Sequence, residues 1–220
     1  MHLDLLNQRL AAIAKGHKRV LLALSLGAED MLLLHQIDSL GLGIGAFVLD
    51  TGRLHEESYG FLDKVQERYK IEIVVYAPKR QPLEAYYAKH GLNAFYRSVA
   101  LRKQCCHIRK VEPLARALIN ADAWITGQRR SQSVARSGLA TEEKDAAQGI
   151  TKYNPLAELD TESLWRWVTR LGVMTHPLHG QGMPSIGCAP CTRAIKSDED
   201  ERAGRWWWET SGARECGLHR

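Results

Sequence analysis

No apolar run in this chain approaches the ~20 residues that span a bilayer. The longest, such as Val20 to Leu24, break off far earlier, so membrane-spanning functions are excluded and no membrane partner is expected. The amino-terminal stretch MHLDLLNQRL carries Asp4 and has no basic start leading into an apolar segment. No signal peptide is expected, and the chain reads as cytoplasmic. Neither the Gly-Lys-Ser/Thr of a Walker A loop nor the Gly-x-Gly-x-x-Gly of a dinucleotide loop occurs. Internal repeats and low-complexity tracts are absent. Cysteine is sparse, with five residues at 105, 106, 188, 191 and 216. In a cytosolic chain these argue against a disulfide framework.

What is present suits one compact domain with a small appendage. The 220 residues are 45% apolar and 25% charged, near the globular average and enough for a real core. A net charge of +5 and a pI near 9.0 favour an anionic ligand. Leu3, Leu6, Leu10 and Ile13 recur at helical spacing. Val20–Ser25 reads as a buried parallel strand, followed by the loop Ser25-Leu-Gly-Ala-Glu-Asp30. Helices are expected over Met31–Leu40, His55–Tyr69 and Pro82–His90, and strands over Ile44–Leu49 and Ile71–Tyr76. Helix is also expected over Val99–Asn120, with a break or new start at Pro113. Ala123–Thr126 reads as a fourth strand. Residues 128–149 read as a mobile loop with one short hairpin, and Thr161–Leu171 as a helix capped by Thr161. Regular structure thins out after Gly172. The alternation predicts a doubly wound, mainly parallel α/β sheet. Ligands of such sheets sit at the strands' carboxyl ends, here Ser25-Leu-Gly-Ala, Leu49-Asp-Thr-Gly and Ile125-Thr-Gly-Gln. Their small residues let backbone N–H groups approach an anion.

The chemistry-bearing residues are concentrated. In Leu101-Arg-Lys-Gln-Cys-Cys-His-Ile-Arg-Lys110 two adjacent thiols stand among four cations, which favour thiolates and hence metal binding. Cys188-Ala-Pro-Cys191 has the spacing that brings two sulfurs to one metal, with a redox-active pair as the competing reading. Four thiolates suit zinc or an iron–sulfur cluster equally. Cys216 lies near the end in Arg214-Glu-Cys-Gly-Leu-His-Arg220, where cations favour a thiolate. Arg202 and Arg205 can present paired guanidinium groups to phosphate or sulfate, next to three tryptophans that read as packing anchors. Gln128-Arg-Arg130 with Arg136 makes an arginine-rich loop suited to closing over an anion.

Together these segments resemble the assimilatory sulfonucleotide reductases, specifically the iron–sulfur adenylylsulfate (APS) reductases, from Ser25 to His219. The most specific elements are Cys105-Cys-His-Ile-Arg-Lys110, Cys188-Ala-Pro-Cys191, Arg202-Ala-Gly-Arg-Trp-Trp-Trp-Glu209 and Glu215-Cys-Gly-Leu-His219. Arg214 stands where the family more often has Lys, with the charge kept. The resemblance implies an adenine-nucleotide hydrolase-like (Rossmann-like) domain over residues 1–205 and a mobile tail over 206–220. It implies one [4Fe–4S] cluster on Cys105, Cys106, Cys188 and Cys191, and Cys216 as the nucleophile. Ser25, Gly27, Leu49, Thr51 and Gly127 would form the nucleotide loops. Lys110, Arg136, Arg202, Arg205 and His219 would complete the substrate site. Enzymes acting on the 3′-phosphorylated substrate (PAPS) generally lack the four ligand cysteines, so the substrate implied is APS. No thioredoxin-like domain follows Cys216, so the implied reductant is a separate thioredoxin, or a glutaredoxin. A homo-oligomer that binds no nucleic acid is expected. The Cys216 thiolate would attack the sulfuryl sulfur and expel AMP, leaving a thiosulfonate. An external thiol would then attack the Cys216 sulfur and release sulfite. The cluster would act electrostatically and structurally.

Two rival readings make different demands. An ATP pyrophosphatase that thiolates tRNA typically has the loop Ser-Gly-Gly-x-Asp-Ser, from which Ser25-Leu-Gly-Ala-Glu-Asp30 departs. A metal-dependent nucleic-acid-binding regulator would use the basic surface, yet no helix-turn-helix or zinc-finger spacing is present.

Overall fold

The computed structural model describes residues 2–209. Its elements run α1 (Leu3–Gly16), β1 (Val20–Ala23), α2 (Ala28–Ser39), β2 (Gly45–Leu49), α3 (Glu56–Arg68), β3 (Ile73–Tyr76) and α4 (Arg80–His90). There follow α5 (Val99–Cys106), α6 (Glu112–Ala117), β4 (Ala123–Ile125), β5 (Glu142–Asp145), β6 (Ile150–Tyr153) and α7 (Thr161–Leu171). The strands form one sheet in the order β3-β2-β1-β4-β6-β5. All neighbouring pairs are parallel except β5 with β6. Among the described residues no helix is long and apolar enough to cross a membrane.

Strand alternation sends side chains to two covered faces. Val20, Leu22, Ala46, Val48, Ala123 and Ile125 join one core with α1, α2, α3 and α7. Phe47 and Trp124 face the other way, with Leu21, Ala23 and Leu49 packed beside them, onto Leu114, Ala117 and Leu118 in and after α6. Helix α2 buries Met31, Leu32, Leu33 and Leu34 in succession, the signature of a helix enclosed on nearly every side.

Three local expectations are corrected. The antiparallel hairpin begins inside the expected loop with β5, but its second strand, β6, lies beyond it and pairs in parallel with β4. Asp160, not Thr161, caps α7: its side chain accepts from the Ser163 N–H. Helix across Val99–Asn120 is interrupted by a π-helical turn over His107–Val111, and Pro113 lies in the first turn of α6.

After α7 the chain crosses back to the carboxyl ends of the strands. Arg205 bridges to Thr192, and the Trp206 N–H donates to the Cys191 carbonyl at 3.3 Å. Trp206 is buried, while Trp207 is 38% exposed, so one of the three tryptophans is a fully buried anchor. Trp206 lies between two guanidinium groups, with the Arg102 Cζ at 4.6 Å and the Arg205 Cζ at 4.8 Å from its ring centroid. Arg102 makes a two-pronged ion pair with Glu209, Nε to Oε1 and Nη2 to Oε2, each 2.8 Å. The pair is almost fully buried, so removing one partner strands the other charge in the interior. Glu209→Ala should cost about 3–5 kcal/mol. Glu162→Ala, which removes an exposed pair with Arg166 one helical turn away, should cost at most ~0.5 kcal/mol. Urea denaturation of both variants checks the ranking, and equal losses would contradict it.

Candidate active site

The chain leaves β1 toward β2 and β3, then returns to lay β4 on β1's other side. Strand order therefore reverses between β1 and β4, where an open α/β sheet forms its ligand crevice. The two loops flanking that crevice are sewn together by Asp30. Its Oδ2 accepts from the Ser25 N–H at 2.7 Å and the Ser25 hydroxyl at 2.5 Å. Its Oδ1 accepts from the Gly127 N–H at 3.0 Å. A Cβ at Gly127 would fall 2.3 Å from that same Oδ1 and 2.7 Å from the Glu29 Cβ, so only glycine fits. Leu26 has left-handed backbone, φ 68°, and makes the sharp passage from β1 into α2.

A cavity of about 200 Å³ opens above these loops. Ser25, Gly27 and Gly127 line one wall, and Leu49 and Thr51 another. Phe47, Leu114 and Trp124, members of one apolar cluster, line it too, together with the cations Lys110, Arg136, Arg202 and Arg205. Every residue proposed for substrate that lies among the described ones thus lines a single cavity. His219 and Cys216 lie outside the described residues. The arginine-rich loop behaves differently from expectation. Gln128 and Arg129 are buried, Arg130 donates to the Leu139 carbonyl, and Arg136 is the arginine of that loop that reaches the cavity.

A second, small cavity is lined by Cys105, Cys106, Cys188 and Cys191 with Arg53, Arg102, Arg109 and Lys110. Consecutive residues on an α-helix point about 100° apart, so Cys105 and Cys106 need a special site to serve one cavity. They get one at the end of α5, where the π-helical turn begins; such bulges recur at functional sites. The other pair sits in a short turn docked by the Ala189 N–H on the Arg53 carbonyl at 2.8 Å. Arg109 is buried and donates to the Thr51 carbonyl and the Tyr87 hydroxyl. Among the described residues no carboxylate or histidine lines this cavity.

Lys110 lines both cavities. Burial pushes the Cys188 thiol up, but Lys110, the Thr51 hydroxyl 3.3 Å away, Arg205 and Arg109 outweigh it and leave the thiol below its ordinary value. Burial dominates at Cys191, which is pushed up to about 12 with the Cys188 charge adding to the effect. It also dominates at Cys105, which is raised despite Arg109. The cation-rich surroundings therefore do not ionise every thiol, as the sequence alone suggested. Asp30 and His176 were missed by the sequence reading. Burial raises the Asp30 carboxyl to about 6, against the hydrogen bonds from Ser25. Burial lowers His176 to about 4, helped by His179 and His55.

These two shifts have opposite signs in linkage. Asp30 is the better proton acceptor in the folded state, so its contribution falls as pH rises from about 4 through 6. His176 resists protonation when folded, so its contribution falls as pH drops below its ordinary value of 6.5 toward 4. Asp30→Asn removes only the first. Relative to this variant, the native chain should gain about 2 kcal/mol of stability between pH 7 and pH 4. Urea denaturation across that range measures it, and parallel pH profiles for the two chains would contradict the assignment.

Comparison with known proteins agrees with this arrangement. The phosphoadenosine phosphosulfate reductase domain matches residues 19–194. An adenosine 5′-phosphosulfate reductase of Burkholderia cepacia is 56% identical over 214 residues, 97% of this chain and 86% of that protein. One from Neisseria meningitidis serogroup A is 47% identical over 99% of this chain and 89% of its own length. Among solved structures, a phosphoadenylyl-sulfate reductase from Candida auris in complex with phosphate superposes with a TM-score of 0.69 at 25% identity. It covers 86% of this chain and 95% of its own. An NMN synthetase from Francisella tularensis shares only the fold, with a TM-score of 0.56 at 13% identity over 79% of this chain and 72% of its own. The chain belongs to the phosphoadenosine phosphosulfate reductase domain family.

Proposed function

We propose that this chain reduces APS to sulfite and AMP in sulfate assimilation, through a thiosulfonate on Cys216 that a separate thioredoxin-type dithiol resolves. The observation that carries the reading is the cavity at the β1/β4 crossover, lined by the apolar cluster of Phe47, Leu114 and Trp124 and by four cations. That combination suits a nucleotide whose base is flat and apolar and whose other end is a phosphosulfate. The relatives of 56% and 47% identity are named for the substrate without a 3′-phosphate, which favours APS over PAPS. Kinship over residues 19–194 leaves the tRNA-thiolation and regulator readings unsupported.

In this account Ser25, Gly27, Leu49, Thr51 and Gly127 hold the nucleoside. Lys110, Arg136, Arg202 and Arg205 take the phosphosulfate and neutralise the charge that grows on AMP as it departs. Cys216, seven residues beyond Glu209, brings its thiolate to the sulfuryl sulfur, with His219 completing the site. The S–O bond to AMP breaks as the Cys216 S–S bond forms. The partner's thiolate then attacks the Cys216 sulfur, expels sulfite and leaves a mixed disulfide, which the partner's second thiol opens. The buried Arg102–Glu209 pair fixes where the Cys216 segment starts.

Cys105, Cys106, Cys188 and Cys191 fit a [4Fe–4S] cluster by donor chemistry. An all-thiolate set excludes hard cations, and four nearby cations offset the cluster's negative charge. Among the described residues no three His, Cys, Asp or Glu side chains are gathered to hold a single ion. When bound, the cluster would supply a fixed charge beside Lys110. The chain's own contribution is to keep Lys110 between that charge and the substrate.

Incubating the iron-loaded chain with APS alone, without reductant, tests the chemistry. Mass spectrometry should find one SO₃ added to the peptide bearing Cys216, with stoichiometric AMP released. Cys216→Ser should bind APS and keep its iron while releasing no AMP. AMP release by that variant would refute the nucleophile assignment.

A further inference from the structure

Arg129 reads in sequence as an anion binder, yet it lies behind the cavity wall, 1% exposed. Its guanidinium is spent on protein groups from its own loop and three other segments. Nε donates to Glu29 Oε1 at 2.9 Å and Nη2 to Glu201 Oε2 at 3.1 Å. Nη1 donates to the Ser131 and Thr161 hydroxyls at 2.6 and 3.0 Å. Thr161 in turn donates to Glu201 Oε1. Gln132 extends the network: its Nε2 donates to Glu29 Oε1 at 2.9 Å, and its Oε1 accepts from Arg136 and from the Arg129 N–H.

Each acid so held adjoins a part of the substrate cavity. Glu29 precedes Asp30, which joins the two nucleotide loops. Glu201 precedes Arg202 and stands four residues before Arg205. Both Glu29 and Glu201 line the cavity themselves. Two carboxylates in the wall of a site for an anion work against binding unless their placement matters more than their charge. Arg129 compensates part of that charge, and its planar fork can hold several acceptors at once in a fixed geometry.

We propose that Arg129 is a positioning residue for the anionic end of the substrate. Through Glu29 and Glu201 it locks the loop after β1 to the segment carrying Arg202 and Arg205. Through Gln132 it sets Arg136. The proposal rests on reading the cavity as the APS site.

The test is equilibrium binding of adenosine, AMP and APS to the full-length iron-loaded chain carrying Cys216→Ser, so that APS is not consumed. In that parent, AMP and APS should bind at least tenfold more tightly than adenosine. Arg129→Lys keeps the charge but cannot span both acids. It should weaken AMP and APS at least tenfold and adenosine less than threefold. Glu201→Ala, at a half-buried position, provides a check of sign and is a milder change if Arg129→Lys fails to fold. Charge alone predicts tighter anion binding once a carboxylate leaves the wall. Positioning predicts weaker AMP and APS binding with adenosine unchanged. Equal loss for all three ligands, or tighter binding of the anions by Glu201→Ala, would overturn the proposal while leaving the site reading intact. A parent that does not distinguish AMP and APS from adenosine would sink the site reading and this inference with it.

Discussion

The site depends on one buried carboxylate. Asp30 takes hydrogen bonds from the loops after β1 and β4, the two strands between which the sheet reverses direction. Parallel strands end together by topology, but topology does not hold their loops at a fixed distance. Asp30 does so from the first turn of α2, where a negative charge also suits the helix dipole. The cost is a carboxyl whose ionised form is disfavoured by burial, visible in its value of about 6. Gly127 is the counterpart of that staple, since no other residue leaves room for it.

Around the staple the chain builds two compartments with opposite demands. One must attract a nucleotide anion, and the other must hold four thiolates. Cations satisfy both, and Lys110 lines both cavities. The thiol compartment is not uniformly activated. Cys188 is lowered and Cys191 strongly raised, because burial opposes charge at each sulfur and the cations are unevenly shared. A metal centre would remove that imbalance by binding the sulfurs in their ionised form. The segment after Arg205 belongs to the same construction: Trp206 packs between Arg102 and Arg205, and Glu209 closes on Arg102.

Much of this was legible in the sequence. Strands β1, β2 and β4 are runs of apolar residues because both faces of the sheet are covered, and such runs stand out. The thiols and the Arg202/Arg205 pair stand out because cysteine is rare here and cations cluster beside it. Strand β6 was missed because Ile150-Thr-Lys-Tyr reads as surface. Lys152 is in fact buried, pairing with Glu143 at 2.8 Å and lying over the Trp124 ring. Arg129 was misread for a similar reason: a charged residue on a polar loop is taken as exposed until tertiary contacts are known. The π-helical turn leaves no compositional trace at all. A usable hint was the Glu29–Asp30 pair itself, since two acids in a loop meant for an anion call for buried partners.

The account's central claim is that one cavity orients a nucleotide with its base on the apolar cluster of Phe47, Leu114 and Trp124 and its charge on the four cations. A crystal structure of the Cys216→Ser chain with APS bound tests this most directly. The account predicts adenine against Phe47 and Trp124, and phosphosulfate oxygens within hydrogen-bond distance of Lys110, Arg202 and Arg205. A nucleotide bound in the reverse sense, or seated away from the β1/β4 crossover, would contradict it.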